Sequence, residues 1–188
     1  MYTASDLRKG LKIEENGDPY VVTEFQFVKP GKGQALYRCR IKNIKTGASF
    51  EKTYRSVDKI GKPNLEEREM IYSHPEGDQY VFMDKDSYEQ FPIHADVLGD
   101  QRYFLIDDME VSVLFHNDLP IEVSLPFFIE KEVVDTEPGV RGDTATNVTK
   151  PAKIDNGYEI LVPLFINQGD IVRIDTRTGK YADRVSKG

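Results

Sequence analysis

Residues 28–36 read VKPGKGQAL, with Lys32 at the centre between Gly31 and Gly33. The run before it, 20–28 (YVVTEFQFV), is rich in the β-branched and aromatic residues that suit a pleated strand. The run after it, 35–42 (ALYRCRIK), alternates with period two. Ala35, Tyr37, Cys39 and Ile41 are expected to face inward, leaving Arg38, Arg40 and Lys42 as a cationic stripe on the opposite face. Pro30 fixes its own φ and pushes Lys29 toward an extended backbone. Gly31 and Gly33 are expected to supply the backbone freedom of a tight reversal. The stretch therefore predicts a β-hairpin with a lysine at its tip, formed by Lys29, Pro30, Gly31, Lys32, Gly33 and Gln34. Glycines on both sides remove bulk, so the ammonium can enter a narrow space; an ordinary solvated turn has the same composition. A phosphate-cradling GxxxxGK[ST] loop is excluded, because Gly33 follows Lys32 where Ser or Thr is needed and no helix-period segment comes next.

Working outward, Leu11-Lys12-Ile13 predicts a short strand, and Asn16-Gly17 is a two-residue hairpin signal joining it to the strand at 20–28. A turn at 43–47 leads to a further strand over 48–54. Short strands with closely spaced turns predict a small SH3-like barrel over residues 1–62. Gly61-Lys62-Pro63-Asn64 reads as a linker. Beyond it, strands are expected at 66–73, 79–83, 110–115 and 121–125, the last two bracketing a turn at His116-Asn117-Asp118, with Asp86 capping a helical turn that runs through Phe91 and ends at Pro92. Residues 63–126 fit a second small barrel. A third, over 127–188, has strands expected at 127–135, 158–166, 170–175 and 180–185. The predicted fold is all-β, three small barrels in tandem.

Charge follows the same boundary. Residues 1–62 carry 13 Lys+Arg against 7 Asp+Glu, a net of +6, whereas 63–188 carry 12 against 25, a net of −13. A basic module joined to acidic ones suggests that the first part meets a polyanion, although a solvating surface can be equally uneven. The acidic remainder speaks against indiscriminate binding along nucleic acid. With 14 glycines and 10 prolines the apolar segments stay short, and none approaches the ~20 residues of a membrane span. The first residues lack the apolar core of a secretory signal, and the lone Cys39 points to a reducing compartment. A cytoplasmic monomer with no membrane association is expected.

Catalytic and metal chemistry find little footing. His74, His94 and His116 lie far apart without thiolate neighbours or metal-ligand spacing. Asp84-Lys85-Asp86 begins like a calcium loop, but Glu89 stands where the loop glycine belongs and Ala95 where the closing Glu belongs. Asp107 and Asp108 are adjacent and on a strand would point apart. No nucleophile–base set stands out, so neither an enzyme, a metal site nor a cofactor is expected. Arg141-Gly142-Asp143 spells an adhesion tripeptide, without a secretion signal to support that role. The same loop, with Thr144, offers donors to a phosphate or a base edge, or is an ordinary solvated loop.

Several blocks in collinear order, VKPGKGQA at 28–35, EKT at 51–53, GVRGDTA at 139–145, KPAKIDNGYEILVPLFINQGD at 150–170 and IDTRTG at 174–179, resemble the bacterial translation elongation factor P family. The resemblance covers most of the chain, and the GDTA loop with the block after it is its most specific part. It implies an L-shaped protein with an SH3-like domain followed by two OB-fold domains. It further implies a non-enzymatic elongation factor that binds the ribosome between the P and E sites and relieves stalling at consecutive prolines. The tip lysine, matching Lys32, would reach along the CCA end of peptidyl-tRNA toward the peptidyl-transferase centre. A dedicated modifying enzyme would extend Lys32, with a β-lysyl group favoured by PGKGQA; a 5-aminopentanol group or an unmodified lysine are the alternatives. Gly142, Asp143, Thr144 and Ala145 would face the E-site mRNA codon. Arg38, Arg40 and Lys42 are candidates to hold the tRNA backbone, joined by Tyr181 for stacking and Arg184 for phosphate pairing.

A paralogous branch of the family often carries arginine at the tip and alters the GDTA loop; this chain keeps lysine and GDTA. Leu36 stands where phenylalanine is common, and residues 79–91 suit either branch. Two rivals from other classes are a free-standing single-stranded RNA-binding OB protein and a structural partner in ribosome assembly. The first needs basic grooves with exposed aromatics on the second and third barrels, which are acidic.

Overall fold

A two-residue turn opens the first sheet. In the computed structural model, which describes residues 1–139 and 148–188, the chain opens with β1 (Tyr2–Thr3) and a 3₁₀ turn over Ala4–Asp6. There follow β2 (Lys12–Glu15), β3 (Asp18–Val28), β4 (Leu36–Asn43), β5 (Ser49–Arg55) and β6 (Lys59–Ile60). Asn16 and Gly17 both adopt positive φ, 52° and 81°, so the predicted hairpin forms with Glu15 opposite Asp18. β2 to β5 make one antiparallel sheet in chain order, and β1 pairs with β6. Ile13, Val22, Cys39, Ile41 and Ile60 meet in the core beside Leu7, Leu11 and Tyr54. Burying each aliphatic side chain of this kind contributes about 1.5–3 kcal/mol.

The period-two reading of residues 35–42 holds from Tyr37 on: Cys39 and Ile41 are buried, whereas Arg38, Arg40 and Lys42 are exposed. β3 carries something the sequence did not signal. Val22 pairs with Ile41 and Glu24 with Arg40, so Thr23 is an extra residue, a β-bulge. The Thr23 hydroxyl donates to the Arg40 carbonyl at 3.1 Å. The inserted residue shifts the alternation, placing Phe25 and Phe27 on the face of Cys39 and Tyr37, and Glu24 and Gln26 with the arginines.

A five-stranded sheet follows, built from β7 (Leu65–Glu76), β8 (Gln79–Asp84), β9 (Gln90–His94), β10 (Glu110–His116) and β11 (Leu119–Ser124), in the order β11-β10-β7-β8-β9. The helical turn expected from Asp86 to Phe91 is absent. The buried Asp84 carboxylate accepts from the Asp86 and Ser87 N–H groups at 2.8 and 3.1 Å, and Asp84 N–H bonds the Glu89 carbonyl at 2.9 Å. This side-chain turn reverses the chain into β9. Pro92 lies inside β9, where an edge position tolerates it. The helix forms one step later, as α1 (Ala95–Leu98), where the His94 ring accepts from Asp96 N–H at 3.1 Å; a 3₁₀ segment, Gly99–Phe104, follows. Asn117 and Asp118, at φ 49° and 66°, make the predicted turn between β10 and β11.

The last stretch gives two three-stranded sheets. Its strands are β12 (Phe128–Glu132), β13 (Asp135–Thr136), β14 (Thr149–Lys153), β15 (Glu159–Pro163), β16 (Ile171–Asp175) and β17 (Lys180–Ser186), ordered β12-β16-β17 and β13-β14-β15. β14 escaped the sequence reading because TKPAK has two lysines and a proline and no large apolar residue. Pro151 sits beyond the end of β13's pairing, and its carbonyl accepts the Thr136 hydroxyl at 2.9 Å. The strand expected over 127–135 is interrupted after Glu132, and that over 158–166 is shorter.

By compactness the chain divides into two units, Met1–Arg68 with Val113–Val123 and Glu69–Ser112 with Ser124–Gly188. Within the second, the 3₁₀ segment meets the turn before β15. The Tyr103 and Tyr158 rings stack at 4.5 Å and 10°, Phe104 lies edge-on to Tyr158 at 5.5 Å, and Asn156 Nδ2 donates to the Tyr103 carbonyl at 2.6 Å. The turn is held from below by Asp155, which accepts from the buried Lys131 ammonium at 3.1 and 3.2 Å. A double-mutant cycle of Tyr103→Ala and Tyr158→Ala, read by urea unfolding, is expected to show a coupling of about 1 kcal/mol. Strictly additive losses would mean that the stack holds nothing.

Candidate functional site

The β3–β4 ladder runs without interruption from the bulge to its last pair, Val28 with Leu36. Residues 29–34 then form an exposed tip, closed by Gly33 N–H on the Pro30 carbonyl at 3.3 Å. The tip glycines do not act as expected. Neither Gly31 nor Gly33 has positive φ. Missing bulk counts at Gly33, where a Cβ would meet Pro30 Cγ at 3.0 Å; at Gly31 the space is open to 4 Å. Lys32 thus projects from a narrow loop, and among the described residues no ion pair engages Lys29 or Lys32.

Behind the tip, Tyr37 packs against Phe27 at 5.0 Å (edge-on) and Phe25 at 6.3 Å. One carboxylate fastens the far side of the hairpin. Glu15, at the end of β2, accepts from Lys52 Nζ at 2.6 Å and from the Tyr54 hydroxyl, both on β5. Burial first, then the hydrogen bond to this anion, pushes the Tyr54 phenol far above its ordinary range. Burial also raises the Cys39 thiol.

On the outer face, cross-strand register arranges the polar residues in rows. Gln26, Arg38 and Thr53 form one row; Glu24, Arg40 and Glu51 form the next. Arg40 lies 3.9 Å from Glu51, so its charge is countered. Lys42 is exposed in the row of Val21 and Ser49. Arg55, opposite Leu36, lies on the same face nearer the tip. The sequence reading passed over it because only strand register reveals the alignment.

The remaining candidates lie elsewhere. The Arg184 guanidinium is engaged by buried Asp170 at 3.5 Å and lies over the Phe165 ring at 5.0 Å. Tyr181 is half-buried, and that burial raises its phenol. Gly142, Asp143, Thr144 and Ala145, with Arg141, lie outside the described residues. The stem before them is pinned: Gly139 N–H donates to Asn167 Oδ1 at 2.6 Å, and the buried Lys150 ammonium donates to the Glu137 carbonyl. Burial lowers the Lys150 pKa. Among the described residues no His, Cys, Asp and Glu side chains cluster as a metal site, and no helix is long and apolar enough to cross a membrane.

Residues 3–60 match the family described as Elongation factor P (EF-P) KOW-like domain, 65–123 the Elongation factor P (EF-P) OB domain, and 129–184 Elongation factor P, C-terminal. The chain belongs to the elongation factor P family. Elongation factor P of Syntrophus aciditrophicus is 52% identical over 185 residues, 98% of this chain and 99% of that protein. Elongation factor P of Desulfotalea psychrophila is 51% identical over 187 residues, the full length of both. Among solved structures, eukaryotic translation initiation factor 5A from Methanococcus jannaschii superposes with a TM-score of 0.57 at 20% identity, covering 66% of this chain and 91% of that one, a likeness of fold. The elongation factor P family comprises translation factors rather than enzymes.

The Glu15 anchor has a pH signature. A folded-state phenol raised above the ordinary value of about 10 contributes stability that is complete below that pH and lost as pH rises further. Tyr54→Phe is expected to cost about 1–3 kcal/mol at neutral pH and to flatten the stability fall above pH 10 by about 1.4 kcal/mol per pH unit. Urea unfolding at stepped pH checks this; an unchanged alkaline slope would rule out a shielded hydroxyl.

Proposed function

We propose that this elongation factor binds the ribosome between the P and E sites and stimulates peptide-bond formation on ribosomes stalled at consecutive prolines. The observation that carries the reading is the placement of Lys32: a free ammonium at the end of a ladder-braced hairpin, between two residues without side chains. A probe of that shape suits a channel too narrow for a broad surface. Proline is a rigid and poor nucleophile, so the reactive geometry of peptidyl-tRNA is seldom reached. A cationic tip that restrains the CCA end lowers the entropic part of the barrier without supplying a base or a nucleophile.

In this reading the partners are the ribosome, peptidyl-tRNA and the E-site codon, the last met by Gly142, Asp143, Thr144 and Ala145. Lys32 is the substrate of a lysine-modifying enzyme that adds a β-lysyl or 5-aminopentanol extension, lengthening the reach of the tip. The factor acts as a cytoplasmic monomer. The high identity to named elongation factor P proteins over the full chain supports the assignment of role. Lys32→Ala, in the exposed tip, is expected to leave the unfolding transition unchanged and to reduce stimulation of a polyproline message in a reconstituted translation system by at least about tenfold, which is ~1.4 kcal/mol of transition-state stabilisation. Full rescue by that variant would sink the role of the tip.

A further inference from the structure

Two asparagines in this chain precede a glycine, Asn16-Gly17 and Asn156-Gly157; the others precede Ile44, Leu65, Asp118, Val148 and Gln168. An Asn–Gly pair is open to attack on itself, because no side chain shields the glycine nitrogen and its backbone turns freely. The two pairs are alike in exposure and in glycine φ, 81° at Gly17 and 82° at Gly157. They differ in what holds the reacting groups. The Asn156 amide is engaged at both ends, Nδ2 donating to the Tyr103 carbonyl at 2.6 Å and Oδ1 accepting from Tyr158 N–H at 3.0 Å. Gly157 N–H, the prospective attacking group, donates to the Ile154 carbonyl at 2.9 Å. At 16–17, among the described residues, no hydrogen bond engages the Asn16 amide or the Gly17 N–H.

We propose that Asn16 is a site of spontaneous covalent modification, closing a succinimide ring onto Gly17. The Gly17 nitrogen bonds the Asn16 side-chain carbon Cγ, the bond from Cγ to the amide nitrogen breaks, and ammonia leaves with the proton of the Gly17 N–H. Water then opens the ring at either carbonyl, giving aspartate or isoaspartate, and nothing is oxidised or reduced. Ring closure requires the turn to twist. At 16–17 that disturbs only the end of the β2–β3 ladder, where Glu15 faces Asp18, whereas at 156–157 it breaks all three hydrogen bonds beside the Tyr103–Tyr158 stack. Isoaspartate lengthens the backbone, so a two-residue turn no longer fits between Glu15 and Asp18. Glu15 is the adjacent residue, and displacing it loosens its hold on Lys52 and Tyr54. Either product also adds a negative charge to a stretch that already holds Glu14, Glu15 and Asp18. The modification therefore weakens the first barrel at the carboxylate that fastens it.

The test is prolonged incubation of the full chain at mildly alkaline pH, with tryptic mass mapping at intervals; the two pairs fall in different tryptic peptides. In the folded protein the amide-to-acid mass gain is expected at Asn16 at least about tenfold faster than at Asn156, because each hydrogen bond to be broken slows ring closure. In urea the two rates are expected to converge, since unfolding releases both pairs alike. Conversion of Asn156 as fast as Asn16 in the folded protein, or none at Asn16 while the urea-unfolded chain converts, would overturn the site. Urea unfolding of the incubated protein reads the consequence. Its midpoint is expected to fall as the Asn16 product accumulates, and Asn16→Gly, which suits the φ of 52° at that position, is expected to keep its midpoint through the same incubation. An unchanged midpoint in converted protein, or an equal fall in Asn16→Gly, would overturn the weakening of the barrel.

Discussion

A single inserted residue governs which side chains each face of the lysine-tipped hairpin carries. Strand side chains alternate strictly, so every position on β3 beyond Val22 depends on whether Thr23 is counted in the ladder. Left out, as it is, it sends Phe25 and Phe27 to the side of Cys39 and Tyr37 and sends Gln26 to the side of Arg38. Counted in, Glu24 and Gln26 would lie beside the core and two phenylalanines would interrupt the arginines. The Thr23 hydroxyl on the Arg40 carbonyl gives the spare residue a hydrogen bond of its own. Bulges also bend and twist the strand that carries them, which suits a hairpin continuing past the barrel.

From that choice the hairpin acquires two dissimilar faces. One is aromatic and closes on the core; its outer edge is fastened by Glu15 to Lys52 and Tyr54. The other is polar, with charges sorted by row into a compensated arginine and an uncompensated one. Stiffness comes from the first face, and the second is left open to solvent. The bracing matters to the role proposed for Lys32, since an ammonium on a slack loop would surrender in ordering entropy much of what any contact contributes.

Hairpins with strong turn chemistry were legible in the sequence. Asn16-Gly17 and the 116–118 turn could be placed because their residues tolerate positive φ, and the alternation at 37–42 could be read because buried and exposed positions differ so sharply there. The bulge was not legible: YVVTEFQFV has no glycine or break to mark it, and only the partner strand reveals the extra residue. The Glu15 anchor joins positions 37 and 39 residues apart, beyond the reach of any local pattern. At Asp84 a short acidic residue had two local uses, helix cap or side-chain turn, and pairing of β8 with β9 selected the second. β14 hid behind lysines, one of which, Lys150, is buried against a carbonyl, an environment composition does not announce. Of the candidate residues, Arg38 and Arg40 looked alike in sequence, and only the cross-strand glutamate separates them.

Pro92 carries a consequence of another kind. It occupies β9, the open rim of the five-stranded sheet, opposite Val81. An uncovered rim invites a neighbouring chain to add its own strand, the first step of aggregation in a crowded cell. A residue without an N–H leaves a gap in the row of donors that such an intruder would need, so Pro92 makes this rim a poor template for an added strand.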